Sequence, residues 1–243
     1  WYDYTEGFWG SDTEIFYVNF TSTVGWSNVT VISDGYNGKY WNEAGSYDPR
    51  IGVDESDKIH VVWQDETSGI WGSDPEIFYV NFEHGVGWSN ITVISDGYDG
   101  KYWNDGESTK PVIAFTNDKI FVVWYDTTDG KWGIDTEIMG SIYSSGTGWS
   151  NITVISDGYN GTYWNDGHSY EPELVVDHNN YVHLVWYDHT DGVWGTDAEI
   201  MYSNFTSQSG WENATVISDG FEGKFFNDQL SRNPSLAHGR NKL

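Results

Sequence analysis

The chain has 243 residues, of which 37 are acidic and 11 are Lys or Arg, and its formal net charge at pH 7 is −26. Such a charge repels phosphate groups, so nucleic acid is a poor partner for this chain. No apolar run approaches the roughly 20 residues that a membrane helix needs, so we expect no membrane insertion in this segment. Cys is absent, so no disulfide identifies the compartment.

The 15 tryptophans fall into four columns of one repeated pattern. The first column holds Trp1, Trp63, Trp124 and Trp186, which are 62, 61 and 62 residues apart. The other columns contain Trp9, Trp71, Trp132 and Trp194, then Trp26, Trp88, Trp149 and Trp211, then Trp41, Trp103 and Trp164, with Phe226 in the last copy. This period predicts one supersecondary unit copied four times, whose hydrophobic faces cover each other.

Within one copy, the pattern predicts four short strands and almost no helix. In the copy that begins at Tyr47, residues 49–54 form a short apolar stretch, and residues 59–63 form a continuous apolar run rich in β-branched residues. An acidic loop follows, then a strand over residues 76–82 and an alternating outer strand over residues 88–95. Four strands in a meander are the unit of a β-propeller blade.

We therefore predict an all-β fold, a four-bladed β-propeller of four repeats of about 62 residues with four strands each. The predicted domain spans 1–243, with blades at about 47–95, 109–156, 170–218, and 232–243 together with 14–33. The mixed blade would close the ring with strands from both termini and cover the exposed sheet edge. Because the chain opens inside a repeat at Trp1, we interpret it as a portion of a longer protein, and a string of such beads is the alternative.

The repeated frame Ser-x-x-Pro-x-Ile-x-Val-Asp, Ile-His-Val-Val-Trp-x-Asp, Glu-Ile-x-Tyr and Gly-x-Gly-Trp-Ser resembles the repeats of sialidase-like, Asp-box (BNR) β-propellers. The Asp-box itself is degenerate, because its aspartate is missing from every copy. It survives only as Gly25-Trp26, Gly87-Trp88, Gly148-Trp149 and Gly210-Trp211. The resemblance implies a propeller but not sialidase activity, since the arginine cluster expected of such an enzyme is not assembled by Arg50, Arg232 and Arg240.

Most of the acidic residues fall in the loops between strands two and three and in the loops between blades, which share one face of a propeller. Crowded carboxylates raise each other's pKa unless a cation intervenes, and Ca²⁺ suits oxygen-rich loops that contain Gly. The predicted Ca²⁺ ligands form three columns: Asp3, Asp65, Asp126 and Asp188; Asp12, Asp74, Asp135 and Asp197; Glu14, Glu76, Glu137 and Glu199.

A second candidate set is either a metal site or a group of turn caps, because Asp and Asn side chains also bind backbone amides. It comprises Asp34 and Asn42, Asp96 and Asn104, Asp157 and Asn165, and Asp219 and Asn227.

Seven Asn-x-Ser/Thr sequons predict surface glycosylation, with a polar strand face rich in Asn and Thr as the alternative. They lie at Asn19, Asn28, Asn90, Asn151, Asn160, Asn204 and Asn213.

The Trp63 column ends an apolar strand and is predicted to be core. The Trp9 and Trp41 columns either pack over the loops or stack on sugars, and loop packing is favoured.

The repeats show no departure from fourfold symmetry of the kind that marks an active site, and the seven histidines form no ligand pattern. We therefore expect a non-enzymatic, extracellular or cell-surface structural or adhesive module. Ca²⁺ would stabilise it, and like modules in a tandem or filamentous assembly would be its partners. A lectin-like module that binds glycans is the alternative. A glycoside hydrolase is a third and less favoured interpretation, since paired carboxylates are abundant.

Overall fold

A computed structural model describes residues 1–34, 42–96, 104–157, 165–220, 227 and 229–239. These residues form strands, turns and irregular segments, which confirms the predicted all-β class. None of them belongs to a helix long and apolar enough to cross a membrane.

Twenty strands follow one another along the described chain, and they repeat with the period of the tryptophans. The N-terminal segment contributes β1 (Tyr2–Tyr4), β2 (Thr13–Tyr17), β3 (Phe20–Thr21), β4 (Gly25–Trp26) and β5 (Thr30–Val31). The first full repeat contributes β6 (Ser46–Val53), β7 (Ile59–Asp65), β8 (Glu76–Glu83), β9 (Gly87–Trp88) and β10 (Thr92–Val93). The second contributes β11 (Ser108–Phe115), β12 (Lys119–Asp126), β13 (Glu137–Ser144), β14 (Gly148–Trp149) and β15 (Thr153–Val154). The third contributes β16 (Ser169–Val176), β17 (Val182–Asp188), β18 (Glu199–Thr206), β19 (Gly210–Trp211) and β20 (Thr215–Val216).

Each full repeat is an antiparallel meander in which the first strand pairs with the second and the second with the third. In the first repeat, β9 and β10 both pair with β8, so the fourth strand is split into two short pieces. The predicted four-stranded unit is therefore confirmed, with an interruption inside its outer strand.

Hydrophobic side chains fill the spaces between successive sheets. One cluster joins Val62 and Tyr79 of the first repeat to Trp124 and Met139 of the second, and a similar cluster joins the second repeat to the third. The second strands form because their runs of Val, Ile and Leu suit a strand that is buried on both faces. Trp63, Trp124 and Trp186 are fully buried, which confirms the core prediction for the three full repeats, whereas Trp1 of the same column is exposed.

The N-terminal segment supplies part of one further unit, because β1, β2 and β5 form a three-stranded sheet beside β6. The pairing of Asp3 with Glu14 is equivalent to that of Asp65 with Glu76, so β1 is the end of a second strand rather than a loop after one. At the other end of the chain, the Ser231 amide donates to the Ala198 carbonyl, as Ser169 does to Thr136. Five sheets are present in the described residues and none closes on itself; residues 240–243 of the predicted mixed blade lie outside those residues.

Candidate functional site

Asp65 lies at the end of β7 and is fully buried in a network of hydrogen bonds. Its Oδ2 accepts hydrogen bonds from Trp63 Nε1, Asn42 Nδ2 and Ser46 Oγ, each at 2.8 Å. Its Oδ1 accepts one from the Thr67 amide at 2.9 Å. Both carboxylate oxygens are thus used by protein donors, and the network joins the loop before β6 to the loop after β7.

Asp126 and Asp188 repeat the Asp65 network, while Asp3 does not. Asp126 accepts from Trp124, Asn104, Ser108 and Thr128, and Asp188 accepts from Trp186, Asn165, Ser169 and Thr190. Asp3 is exposed and accepts from Thr5 Oγ1. Because protein donors occupy the oxygens of the buried members, these aspartates have a structural role in holding the loops together.

The second candidate set has the hydrogen bonds of turn caps. Asp34 Oδ1 accepts from the Asn42 amide at 3.2 Å, and Asn42 Oδ1 accepts from the Ala44 amide at 3.0 Å and from Thr67 Oγ1. The corresponding amide bonds join Asn104 to Asp96, Asn165 to Asp157 and Asn227 to Asp219. These contacts fix the conformation of the loops between repeats. Metal binding by this set stays a prediction.

The remaining columns come together as four acidic clusters, one in each repeat. In the first full repeat, the cluster contains Asp74 and Glu76, with Asp96 and Asp126 close enough to act on the charge of Glu76. Glu76 is fully buried, and its Oε2 accepts a hydrogen bond from Ser95 Oγ. Its other oxygen, Oε1, and Asp74 Oδ2 are buried and have no hydrogen-bond partner. The other clusters are Asp12 with Glu14, Asp135 with Glu137, and Asp197 with Glu199.

The serines that hold these glutamates are functional residues that sequence reasoning missed. Ser33, Ser95 and Ser156 each bond a glutamate Oε2 and accept from a strand amide, and Ser218 does the same in the last copy. Their signal was present in the sequence, because Ile-Ser-Asp-Gly recurs in all four copies. One side of each glutamate is thus fixed by a neutral hydroxyl.

Burial dominates the electrostatics of the acidic clusters. It raises the pKa of Glu76 to about 10 and that of Glu137 to about 10, with the neighbouring aspartates adding to the effect and the serine bonds opposing it. The pKa of Glu14 is raised to about 8 and that of Glu199 is also raised, both chiefly by burial.

The loop before each cluster is a tight hairpin tip closed by two glycines. Gly69 and Gly72 exchange backbone hydrogen bonds, and Gly72 has a φ of 131°, which favours Gly. A Cβ at Gly72 would also meet Asp74 Oδ1 at 2.5 Å, so glycine makes room for this carboxylate. Trp71 of the same tip donates a hydrogen bond to the Thr67 carbonyl and packs edge-on against Phe78. These contacts are the loop packing that was the favoured interpretation of the Trp9 column. Trp41, Trp103 and Trp164 lie outside the described residues.

A different feature of the repeats is a β-bulge near the start of each inner strand. In β6, β11 and β16, the register shifts around a residue with left-handed backbone that precedes a proline. The residues at this position are Asp48 (φ 51°), Lys110 (φ 52°), Glu171 (φ 52°) and, in the C-terminal segment, Asn233 (φ 54°). The backbone is the same in four copies while the side chains are anionic, cationic, anionic and neutral.

The bulges bring charges of unlike sign together where the inner strands lie side by side. We call Asp48, Arg50, Lys110, Glu171 and Glu173 the inner-strand cluster. Lys110 Nζ lies 2.8 Å from Asp48 Oδ2, and its pKa is raised chiefly by that hydrogen bond. The pKa of Glu173 is raised by burial, while the charge of Arg50 opposes this shift and that of Glu171 adds to it.

Aromatic rings line the same region. Tyr170 packs edge-on against Tyr125 at 5.3 Å between ring centroids and lies 5.4 Å from Tyr187. The guanidinium of Arg232 lies over the Tyr187 ring at 5.6 Å. The negative charge of Glu171 acts on Tyr187, whose pKa is raised chiefly by burial. Carboxylates, cations and aromatic rings from several repeats therefore converge in this region, where the side chains depart from the fourfold symmetry expected of the sequence.

At the opposite end of the same strands, one histidine joins a buried chain of hydrogen bonds. His60 Nδ1 lies 2.7 Å from Tyr79 Oη, and Nε2 lies 3.2 Å from Asp54 Oδ2. All three residues line a cavity of about 740 Å³ between the first two full repeats. His183 makes the same contact with Tyr202, so these histidines are structural partners and not incidental residues.

The sequons lie mostly at the surface. Asn19, Asn28, Asn90, Asn151 and Asn213 are exposed, Asn204 is partly buried, and Asn160 lies outside the described residues. Glycosylation stays a prediction. No group of three or more His, Cys, Asp or Glu side chains within the described ranges is arranged by itself to hold a metal ion.

No protein-family model matches the sequence, and no curated protein matches it. Solved structures do match. An α-L-arabinanase from Penicillium chrysogenum complexed with arabinobiose has a TM-score of 0.54 and 13% identity, over 82% of this chain and 56% of that one. The GH93 α-L-arabinofuranosidase of Fusarium graminearum with arabinobiose has a TM-score of 0.52 and 12% identity, with the same coverage of both chains.

The fold is β-propeller-like. The chain spans a little over half the length of these matched enzymes. Their class is related to the expected one, but nothing supports the sialidase-like, Asp-box family itself, so that part of the resemblance does not extend beyond the propeller.

The comparison corrects the expectation about function. A non-enzymatic structural or adhesive module was predicted, whereas the structures that share this fold are glycoside hydrolases. The prediction that the chain is not an enzyme is wrong for the same reason. Tandem assembly, an extracellular location and Ca²⁺ binding stay predictions.

Proposed function

We propose that the chain is a carbohydrate-active β-propeller with four blades, which binds a glycan at the inner-strand cluster and hydrolyses a glycosidic bond there. The observation that carries the proposal is the left-handed pre-proline position, where one backbone geometry presents Asp48, Lys110, Glu171 and Asn233. Structural repetition accounts for the shared backbone but not for four different side chains. A binding site that must contact an asymmetric ligand does account for them.

Backbone strain supports this location. Left-handed backbone at a residue other than Gly costs on the order of 1–3 kcal/mol, and such residues cluster at functional sites. The residue before a proline normally has extended backbone, so the strain at Asp48, Lys110 and Glu171 is unusual in each case. We infer that the bulge is retained because it turns these side chains toward a common ligand.

The chemistry of the cluster suits glycoside hydrolysis, which uses two carboxyl groups on either side of the bond. Glu173 is the proposed general acid, because its raised pKa lets it donate a proton to the leaving glycosidic oxygen. The carboxylate of Glu171 or Asp48 would accept a proton from the water that attacks the anomeric carbon. The bond between the anomeric carbon and the glycosidic oxygen breaks as the water oxygen bonds to that carbon. The leaving sugar takes the proton as a hydroxyl group, and the other sugar becomes a new reducing end.

The remaining members would bind the sugar. Arg50 and Lys110 can donate hydrogen bonds to ring hydroxyls, while Tyr125 and Tyr170 offer ring faces and edges for stacking. Because both matched enzymes were crystallised with arabinobiose, arabinose-containing oligosaccharides are the first substrates to test. Four blades are supported by the period of the repeats and by the Ser231–Ala198 hydrogen bond.

The test measures reducing-sugar release from arabinobiose, arabinan and a panel of other glycans, with the natural protein and two Glu→Gln variants. Glu173→Gln removes the proposed acid and should lower the rate at least 100-fold, a typical effect of losing general acid catalysis. The control, Glu107→Gln, changes an exposed loop glutamate and should leave the rate within twofold. Equal rates for natural protein and Glu173→Gln, or no sugar release across the panel, would reject the proposal.

A further inference from the structure

Each repeat contains a buried carboxylate with an oxygen that accepts no hydrogen bond from an N–H or O–H donor in the described residues. Glu14, Glu76, Glu137 and Glu199 have no exposed surface, and in each the Oε1 atom lacks a hydrogen-bond partner. Most buried polar groups in folded proteins are paired, so one orphan would call for an explanation. The same orphan in four copies indicates a recurring ligand.

A second buried oxygen accompanies the first in every copy. The Oδ2 atoms of Asp12, Asp74, Asp135 and Asp197 are also buried without a partner, two residues before the glutamate. Each aspartate lies in the bend just before the strand, and its charge acts on the glutamate two residues later, so the two carboxyl groups lie near each other in every copy. In the first full repeat, Asp74 is close enough to Glu76 for a direct carboxyl contact.

The orientation of the glutamate is fixed before any ligand arrives. Ser95 Oγ bonds Glu76 Oε2 while it accepts the Ile77 amide at 2.6 Å, so the carboxyl group cannot turn its orphan oxygen toward solvent without breaking both bonds. Ser33 and Ser156 hold Glu14 and Glu137 in the same way, each at 2.5 Å. A preorganised pair of oxygen donors results.

We infer that each acidic cluster binds one divalent cation, with Ca²⁺ the best match, between the Asp Oδ2 and Glu Oε1 atoms. Ca²⁺ prefers carboxylate oxygens, tolerates irregular geometry and completes its shell with carbonyls and water. A cation would neutralise the mutual repulsion of the clustered carboxylates and would give both orphan oxygens a partner. The four sites lie apart from the inner-strand cluster and do not depend on the proposed activity.

The small number of carboxylate donors limits the expected affinity of each cluster for Ca²⁺. Two carboxylates are committed to each ion, and no group of three His, Cys, Asp or Glu side chains in the described ranges is ready-made for a metal. We therefore expect dissociation constants on the order of 10⁻⁴–10⁻³ M, the range of extracellular Ca²⁺ modules.

The experiment uses Tb³⁺ as a Ca²⁺ substitute, because Trp71 lies in the same loop as Asp74 and can sensitise its luminescence. The natural protein should bind four Tb³⁺ ions that excess Ca²⁺ displaces, and Glu76→Gln should bind three. Gln keeps an acceptor for Ser95 Oγ, so the variant should fold. The control, Glu55→Gln, makes the same charge change at an exposed residue at the other end of the sheet and should still bind four.

Thermal melting gives an independent readout. Ca²⁺ at several millimolar should raise the melting temperature of the natural protein, and Glu76→Gln should show a smaller rise while melting at least as high in chelator. Absence of sensitised luminescence, or a Ca²⁺ response unchanged in Glu76→Gln, would overturn the inference. Equal losses in Glu76→Gln and Glu55→Gln would identify an adventitious ion only.

Discussion

The buried aspartate network and the left-handed pre-proline position lie close together in each full repeat, but only the first keeps the same side chains from repeat to repeat. Ser108 at the start of β11 pairs with Asp126 at the end of β12, where Trp124, Asn104 and Thr128 complete the same network as in the other full repeats. Two residues further along β11, Lys110 stands where the other copies have Asp48, Glu171 and Asn233. The first region is identical in chemistry and the second is identical only in backbone.

The difference separates what the fold requires from what a ligand requires. The buried aspartate with four donors is the same in all three full repeats, because its loss would leave buried donors unpaired. The bulge position is at the surface of the inner strands, where a change of side chain leaves the core intact. Fourfold sameness therefore marks structural residues in this protein, and variation on a conserved backbone marks the candidate active site.

The largest expected effect comes from breaking the repeated network. Asp126→Ala leaves Trp124 Nε1, Ser108 Oγ and the Thr128 amide without their acceptor, and an unpaired buried donor costs about 1–3 kcal/mol. We expect a loss of roughly 3–5 kcal/mol in the free energy of unfolding, measured by chemical denaturation. Asp129→Ala removes an exposed carboxylate from the same loop and should cost under about 0.5 kcal/mol. Similar losses in both variants would contradict the structural role of Asp126.

The sequence predicted the central strands well, because their signal is local. The predicted strand at 59–63 is β7 (Ile59–Asp65), and the one at 76–82 is β8 (Glu76–Glu83). The prediction of one continuous outer strand was wrong in detail. Ser89 Oγ accepts the Asn81 amide, and the pairing with β8 is interrupted at this point, between β9 and β10. The sequence placed the first strand at residue 49, whereas β6 begins at Ser46. A residue before proline is expected to have extended backbone, and the left-handed backbone of Asp48 departs from that expectation.

The candidate sites were predictable only where the chemistry repeats. The spacing of Asp74 and Glu76 placed two carboxylates on one side of a strand, and the structure brings them together. Burial of Glu76 and its bond to Ser95 depend on contacts between distant segments, which no local pattern encodes. The sequence was predicted to show no departure from fourfold symmetry, although Lys110 and Glu171 do differ at one repeat position. Only the shared left-handed backbone reveals that these residues are equivalent.

A smaller effect should come from changing the variable column to another of its own members. Lys110→Asn introduces the residue of the fourth copy, which tolerates left-handed backbone, and it removes the pair with Asp48. Since this pair is partly exposed, stability should change by less than about 1 kcal/mol. The proposed function predicts a several-fold increase in KM for the glycan substrate.

Lys119→Asn is the matched control for that variant, because Lys119 pairs with Asp118 at the other end of the sheet. Its unfolding free energy should change as little as that of Lys110→Asn, while its KM should stay at the natural value. If both variants shifted KM alike, the inner-strand cluster would not be where the sugar binds.

The smallest expected effect concerns pH and the chain of hydrogen bonds around His60. Burial lowers the pKa of His60, and the neighbouring Asp54 carboxylate opposes this shift, while Lys58 adds to it. Hydrogen bonds from Ser56, Lys58 and His60 outweigh burial at Asp54 and lower its pKa to about 2, so Asp54 stays ionised across the range of interest. Tyr79, whose pKa is raised, stays protonated.

The sign follows from proton uptake. Because the folded pKa of His60 lies below the ordinary 6.5, the unfolded chain binds more protons just below pH 6.5, and stability falls as the pH drops through that window. His60→Phe, which copies Phe121 of the second full repeat, should therefore flatten the decline in unfolding free energy between pH 8 and pH 5. His84→Phe removes an exposed imidazole outside this chain of hydrogen bonds and should leave the decline as it is. A slope that His60→Phe leaves unchanged would mean that other groups set the acid sensitivity, and that the buried imidazole contributes packing alone.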